Sequence, residues 1–186
     1  MSNSALLRIS EVIKLNHREL EQYYDNIVNS GDKSVQERYQ NIFIWELARH
    51  CIGEEIILYP AIESYVKNGQ LVVARHRLEN QQLMDTLRLF QSIRPGDAEF
   101  LLCIQSLFKD LGKRIKEEEA QDLIPLEKAL ENQDSYTLAS NFQRTKGFVP
   151  TRSHPMSSKK PPFDTLDAFL ATPVDKLANL LPLTLN

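Results

Sequence analysis

The sequence is poor in several features, and each shortage excludes a class of protein. Two cysteines in 186 residues, Cys51 and Cys103, are too few for a disulfide framework, so we expect reduced thiols in an intracellular protein. The net charge of −3 lacks the basic excess that is usual in nucleic-acid-binding proteins. Residues 1–10 do not resemble a secretory signal, and no apolar run has the length of a membrane span. These absences predict a soluble cytoplasmic protein that binds neither nucleic acid nor membrane, with a nuclear location left open.

Helix-forming residues dominate the first part of the chain, where strand signals are almost absent. Amphipathic patterns predict long helices at about 4–29, 34–67, 70–93 and 97–132. The connections between them are short, and short connections make consecutive helices antiparallel. We therefore predict an all-α fold, an up-down-up-down antiparallel four-helix bundle. Pro60 and Pro125 fall inside two of these patterns, where a proline interrupts or bends a helix.

The remainder of the chain has a different composition. We predict a bundle domain at 1–132 and a C-terminal extension at 133–186 that packs on it. Residues 136–144 have the pattern of a short helix. Four prolines between Pro150 and Pro162 exclude regular helix there and predict a proline-rich strap. Residues 163–183 are too apolar for a disordered tail, so we expect short helices that pack on the bundle.

One motif occurs twice in the bundle. The first copy begins His50-Cys-Ile-Gly-Glu54-Glu, and the second begins Arg114-Ile-Lys-Glu-Glu118-Glu. Each copy continues to a proline and a glutamate, which are Pro60 and Glu63 in the first and Pro125 and Glu127 in the second. Residues four apart share one face of a helix, so each copy presents two polar side chains together. Histidine can bind a metal, whereas the always-charged arginine cannot.

Each predicted helix carries at least one candidate metal ligand on its inward side. These candidates are His17, His50, Glu54, His76 and Glu118. Burying an unpaired charge is very costly, so their convergence on one core indicates a metal ion or a mutual salt-bridge network. Taken singly, each residue has a simpler explanation. A lone core histidine is common, and His50 with Glu54 is an ordinary hydrogen-bonding spacing on a helix.

The ordered set of these motifs resembles a known family, the hemerythrin-like HHE cation-binding domains, and more closely its fungal members with a C-terminal extension. The segments that carry the resemblance are Asn16-His-Arg-Glu-Leu20, His50 to Pro60, Arg75-His-Arg77, Ile115 to Glu119, Pro150 to Pro155, Pro161-Pro-Phe163 and Pro173 to Leu177. The resemblance implies a four-helix bundle around a non-haem di-iron centre, and a role in oxygen, nitric oxide or iron handling. It implies the ligands His17, His50, Glu54, His76 and Glu118, with the two glutamates binding or bridging the irons.

The sequence departs from the family pattern at Arg114, where the family has a histidine ligand, and at Asn80, where a glutamate is frequent. Three outcomes are open. One iron remains, held by the three histidines and a carboxylate; or no metal binds and Arg114 bridges Glu54 and Glu118; or Arg114 points outward and His154 takes its place.

The sequence therefore predicts a non-haem iron-binding protein that holds one or two ions and has oxygen, nitric oxide or a small molecule as a further ligand. Its site is degenerate at Arg114. The alternative is an enzyme that transforms a small molecule, with one iron or by metal-free acid–base chemistry. Its candidate catalytic residues are His50, Glu54, Arg114 and Glu118. A third hypothesis is a scaffold that acts through partners. Sequence alone indicates neither the substrate nor the oligomeric state.

Overall fold

The computed structural model describes residues 6–148 and 165–183, and all regular structure within these ranges is helical. In chain order the α-helices are α1 (Ile9–Val28), α2 (Lys33–Gly53), α3 (Tyr59–Tyr65), α4 (Gly69–Ser92), α5 (Phe100–Glu117), α6 (Leu123–Ala129), α7 (Asn132–Arg144), α8 (Leu166–Ala171) and α9 (Val174–Asn179). A 3₁₀ turn, Thr145–Phe148, follows α7. The predicted all-α class is confirmed.

The four long helices α1, α2, α4 and α5 form the bundle. Helix α1 packs on α2 and α5, and α4 packs on α2 and α5, so each helix has two neighbours. Within the described ranges, every helix is too short or too polar to cross a lipid bilayer.

The helix boundaries follow from local chemistry. Asp32 precedes α2, and its side chain accepts a hydrogen bond of 2.8 Å from the backbone amide of Ser34. Helix α4 begins directly after Asn68, which adopts a left-handed conformation with φ of 59°. A Cβ atom on Gly69 would lie 2.1 Å from the carbonyl oxygen of Ile62, so only glycine fits this connection.

Each copy of the motif contains a π-helical turn. The first π turn is Glu54–Leu58 and leads into α3, and the second is Glu118–Asp122 and leads into α6. In both, the carbonyl of the opening glutamate accepts from the amide five residues later, Tyr59 in the first copy and Leu123 in the second. The break that we expected at the prolines thus begins earlier, at the glutamates, which lie six residues before Pro60 and seven before Pro125.

Two apolar clusters fill the interior. One contains Ile9, Val12, Ile13, Ile57, Leu58, Val73 and Leu123, and the other contains Leu20, Ile44, Leu47, Leu83, Leu87, Leu107 and Leu111. On every long helix, buried polar residues lie between the two clusters: Asn16, His17, Arg49, His50, Glu54, His76, Arg114, Glu118 and Asp122. The bundle therefore contains a polar layer between two apolar ones.

The C-terminal part packs on the first copy of the motif. Helices α7 and α9 contact the first π turn, and α8 contacts α2. The Phe169 ring lies 5.8 Å from that of Trp45, between centroids. The predicted strap, with His154, lies outside the described residues, and the domain boundary at 132/133 stays a prediction.

Candidate metal centre

Four side chains of the polar layer form one compact group. His17 comes from α1, His50 from α2, and Glu54 and Glu118 open the two π turns. All four are buried, and one nitrogen or oxygen atom from each lies within 4.8 Å of the others. This is the only such group of three or more potential ligands among residues 6–148 and 165–183. Two imidazoles and two carboxylates thus converge on a common point in the core.

The inward-facing atoms of this group are close to one another without forming regular hydrogen bonds. His17 Nε2 lies 3.2 Å from Glu118 Oε2, and His50 Nε2 lies 2.8 Å from Glu54 Oε1. Nevertheless His17 Nε2, Glu54 Oε1 and Glu118 Oε1 have no partner with hydrogen-bond geometry. Buried polar atoms are nearly always hydrogen-bonded, so several unsatisfied ones at one point indicate a site for a ligand.

The outward-facing nitrogen of each histidine does have a partner. His17 Nδ1 lies 2.8 Å from Glu119 Oε1, and His50 Nδ1 lies 3.1 Å from Asn16 Oδ1. Carboxylate and amide oxygens only accept, so each Nδ1 can donate its proton to this partner when Nε2 binds a cation. The Nδ1 contacts hold both rings with Nε2 directed toward the group. Metal-binding histidines are usually held in this way.

The electrostatics of the group are those of a charged cluster removed from water. Burial opposes protonation of His17, but attraction to the Glu118 carboxylate and the contact with Glu119 outweigh burial and raise the pKa of His17. Burial dominates at His50 and lowers its pKa, although Glu54 acts in the opposite direction. Burial alone would raise the pKa of Glu54, but the positive charge of Arg114 holds it well below its usual range.

Arg114 points into the bundle, with a side chain that is 5% exposed. Its Nη2 donates to Glu54 Oε2 and, at 2.9 Å, to the hydroxyl oxygen of Tyr59. The Tyr59 hydroxyl donates to the same Glu54 oxygen at 3.1 Å and accepts from Asn80 Nδ2 at 2.8 Å. Glu54 thus presents one oxygen to His50 and the other to Arg114. The outward orientation of Arg114, one of the three outcomes left open above, is not found.

His76, the fifth predicted ligand, lies outside the four-residue group. Its Nε2 is 2.8 Å from Asp122 Oδ2, and its Nδ1 is 3.5 Å from Glu79 Oε2. Its ring stacks on Tyr59 with a centroid distance of 5.8 Å. The hydrogen bond with Asp122 outweighs burial and raises the pKa of His76. The structure therefore brings together four of the five predicted ligands.

Several residues of the site were not singled out from sequence. Asn16 and Asp122 orient histidines, and Arg49 is wholly buried against Asn16 at 2.6 Å. One signal was available for Arg49, because Trp45 and Ile52 flank it on the helix and a charged residue on an apolar face is unusual. Nothing in the sequence indicates that Asp122 is buried, because it follows a run of acidic residues of the kind that usually lies on a solvated surface.

Residues 8–126 match the hemerythrin HHE cation-binding domain, and the match includes all four residues of the buried group. The chain belongs to the hemerythrin HHE family. The resemblance noted from the sequence is thereby confirmed.

Two curated relatives extend the comparison. An uncharacterized hemerythrin-like protein of Schizosaccharomyces pombe is 42% identical over 177 residues, which cover 95% of this chain and 87% of that one. A DNA nickase of Nostoc sp. is 22% identical over 147 residues, which cover 78% of this chain but only 41% of that one. No solved structure matches the chain.

The four-residue group fits the cation that the HHE family binds. Mixed imidazole and carboxylate ligands suit divalent transition metals, and the inward atoms are buried and unsatisfied. The outward nitrogens already have other partners, which hold both rings with Nε2 toward the group. A metal site at this position is well supported by the residues present.

A cleft of about 190 Å³ opens between α4 and α5 on the Arg114 side of the layer. It is lined by Glu79, Gln82, Leu83, Thr86, Asp110, Lys113, Arg114 and Glu117. Arg114 Nη1 and Glu79 Oε2 are buried and have no hydrogen-bond partner. The polar layer therefore has two unequal sides, the four-residue group and the Arg114 side.

Proposed function

We propose that this protein binds a single iron ion through His17, His50, Glu54 and Glu118, and that it acts in oxygen, nitric oxide or iron handling. The observation that carries the proposal is the convergence of four buried ligand atoms within 4.8 Å. Both imidazoles are oriented by contacts of their Nδ1 atoms, His17 with Glu119 and His50 with Asn16. Such support is characteristic of metal sites rather than of ordinary core histidines.

We further propose that Arg114 takes the place of the second cation of a di-iron centre. In the HHE pattern, position 114 is a histidine ligand, and the Glu54 carboxylate would bind or bridge the irons. Here the second oxygen of Glu54 accepts from Arg114 instead. The guanidinium is a permanent cation and supplies positive charge at this point, but it also repels a divalent ion by Coulomb interaction. One ion with one guanidinium thus replaces two ions.

A bound ferrous ion would supply redox chemistry and a coordination position for a diatomic molecule. The protein residues supply the surroundings. Leu20, Leu47 and Leu111 on one side and Ile13, Leu58 and Leu123 on the other exclude bulk water from the layer. Asn16 and Glu119 hold the imidazole rings, and Arg114 with Tyr59 holds the Glu54 carboxylate. The ligands are thus fixed by neighbours that do not themselves bind the ion.

Nitric oxide provides a direct test of this function. Metal-free protein is loaded with ferrous iron under nitrogen and then exposed to nitric oxide. We expect the spectrum of a ferrous–nitrosyl centre with one nitric oxide per chain. A protein that stays colourless and iron-free after this treatment would exclude the proposal. The exposed Lys14, on the same helix as His17, offers a matched control, since Lys14→Ala should leave the spectrum in place.

The cleft beside Arg114 favours a second candidate, an enzyme or binding protein for a small polar molecule. Arg114 lines this cleft with an unpaired Nη1, which could donate to a carboxylate or carbonyl oxygen of a ligand. Native mass spectrometry of protein purified without denaturation would detect such a molecule. If the cleft binds such a molecule, the wild type should show an added mass that is lost in Arg114→Met and retained in Lys109→Met. A wild type without an added mass would exclude this second function.

A further inference from the structure

Helix α4 has two opposite faces, and the residues of both recur at intervals of three and four. The inner face packs in the bundle and contains buried residues such as Val73, His76, Leu83, Leu87 and Phe90. The outer stripe contains six exposed residues whose spacings alternate between four and three: Leu71, Arg75, Leu78, Gln82, Asp85 and Leu89. This alternation is the repeat of a coiled-coil seam, which follows one stripe of a helix. The outer stripe therefore has the spacing that a second helix requires.

Three leucines make this stripe unusual for a solvated surface. Leu71, Leu78 and Leu89 are 73%, 70% and 56% exposed. No other helix in residues 6–148 and 165–183 exposes three large apolar side chains. Single exposed leucines are common on proteins, whereas apolar residues repeated along one stripe are typical of a contact surface. From residue 71 to residue 89 the stripe is about 27 Å long.

The order of residues along the stripe indicates that the second helix is another copy of α4. When two identical helices run antiparallel about a two-fold axis, residues at equal distances from the axis face each other. An axis at the level of residue 80 forms three kinds of pair between the copies, each of which occurs twice: Leu71 with Leu89, Leu78 with Gln82, and Arg75 with Asp85. All six positions are paired in this register, and each charged residue faces the opposite charge. The stripe is thus complementary to itself.

The two charged residues of the stripe are available for this contact. Within their own chain, Arg75 Nε lies 4.0 Å from Glu79 Oε1, and Asp85 Oδ1 lies 3.2 Å from Arg88 Nη1. Both are exposed pairs on one helix, which contribute little to stability. Arg88 also lies 3.6 Å from Asp167, so it keeps a partner when Asp85 contacts a second copy.

We propose that this protein forms a symmetric dimer in which the outer stripes of two α4 helices pack antiparallel, with the two-fold axis at the level of residue 80. The partner is a second copy of this chain. Gln82 belongs to the stripe and also lines the cleft beside Arg114, so the second copy lies at the mouth of that cleft. The contact involves none of the four residues of the metal group, and the proposal is therefore independent of iron.

Sedimentation equilibrium of the metal-free full chain over a series of concentrations measures the dimer. The contact joins one helix to one helix and is small, so we expect a dissociation constant of about 1 to 100 μM. Leu78→Lys places a charge in the centre of the contact and should weaken association at least about tenfold. Leu15→Lys is the matched control, because Leu15 is an exposed leucine on α1, and it should leave association unchanged.

Two results of this series would overturn the proposal. One is a wild type that stays monomeric at about 1 mM. The other is a dimer that Leu78→Lys leaves as tight as the wild type, because the contact would then lie on a different surface. Both substituted leucines are exposed, so the variants are expected to fold.

An exchange of charges tests the register. Arg75→Asp alone places aspartates opposite each other, and Asp85→Arg alone does the same with arginines. Each variant alone should therefore associate at least about tenfold more weakly than the wild type. An equal mixture of the two variants should form a mixed dimer, because both of its contacts join opposite charges. Lys109→Asp makes the same change of charge at an exposed position on α5 and should have no effect. Single variants that associate like the wild type, or a mixture that stays monomeric, would contradict the proposed register.

Discussion

The two copies of the motif have the same backbone and opposite chemistry. In both, an α-helix ends one residue before a glutamate, a π turn follows, and a seven-residue helix completes the copy. Four residues before that glutamate, the first copy has His50, which faces the ligand group, and the second has Arg114, which bonds across the bundle to the first copy's Glu54. One copy thus presents a candidate ligand where the other presents a charge. The comparison indicates that the same backbone turn can position either.

The largest difference should appear when the charge of the second copy is removed. Arg114→Met leaves Glu54 buried without its cation, and breaking one side of a buried ion pair costs about 3–5 kcal/mol. We expect the free energy of unfolding of metal-free protein, measured in denaturant, to fall by that amount. Lys113→Met is the matched control, because Lys113 is its neighbour and 78% exposed, and should change stability by less than about 0.5 kcal/mol.

Neutralising the partner should reverse most of that loss. Adding Glu54→Gln to Arg114→Met removes the negative charge that the loss of Arg114 leaves unpaired at Glu54. The double variant is expected to be more stable than Arg114→Met alone. An equal or greater loss in the double variant would show that Arg114 stabilises the bundle by packing rather than by charge.

The first copy should matter most for metal affinity. His50→Ala removes a ligand, and even the loss of a residue that only supports a ligand commonly costs about 10- to 100-fold, so we expect a loss of at least about 100-fold in iron affinity. His76→Ala is the comparison, since His76 Nε2 is engaged by Asp122 outside the group. We expect it to retain one iron with a change in affinity below about tenfold. Equal losses in the two variants would mean that His76 also binds the ion.

The last acid of each copy offers a test by pH. Glu127 accepts from the Ser10 amide at 2.9 Å and from Arg8 Nε at 2.7 Å, whereas Glu63 has one contact, with Arg77, at the surface. Burial would raise the pKa of Glu127, but these hydrogen bonds outweigh burial and lower it. Its stabilisation is therefore complete at neutral pH and is lost as the pH falls from its unfolded value of about 4.3 through the lower folded value.

We expect Glu127→Gln to cost about 1–3 kcal/mol at pH 7 and to make stability less dependent on pH below about 4.3. Glu63→Gln should cost about 1 kcal/mol or less at any pH. Unfolding curves measured between pH 3 and 7 would check both variants. Identical acid profiles for the wild type and Glu127→Gln would contradict the assignment.

The smallest expected change in stability comes from two glycines, Gly53 in the turn that leads into the first copy's glutamate and Gly112 just before the second copy. A Cβ on Gly53 would lie 2.8 Å from the Phe142 ring, whereas a Cβ on Gly112 would meet nothing within 4 Å. Alanine in a helix interior gains about 0.5–1 kcal/mol over glycine, and overpacking costs about 1–3 kcal/mol. Gly112→Ala should therefore stabilise the protein and Gly53→Ala should destabilise it by about 1 kcal/mol. Thermal unfolding of both variants would measure these changes, and a Gly53→Ala protein as stable as the wild type would show that α7 does not pack tightly against Gly53.

Helix periodicity was enough to predict much of the molecule. The first helix, predicted at about 4–29, is Ile9–Val28, and the third, predicted at about 70–93, is Gly69–Ser92. The π turns were not predicted, because the prolines indicate an interruption without indicating where the extra residue is accommodated. The pairing of Arg114 with Tyr59 and the burial of Arg49 depend on contacts between helices, which periodicity along one helix does not contain. The cytoplasmic location stays a prediction.

Iron content, measured by elemental analysis on wild type and Arg114→His loaded with ferrous iron, tests the central claim most directly. The account predicts one iron per chain in the wild type and more than one in Arg114→His, because the substitution removes the cation and restores an imidazole next to Glu54 and His76. Two irons in the wild type, or no gain in Arg114→His, would contradict the claim that Arg114 takes the place of a metal ion.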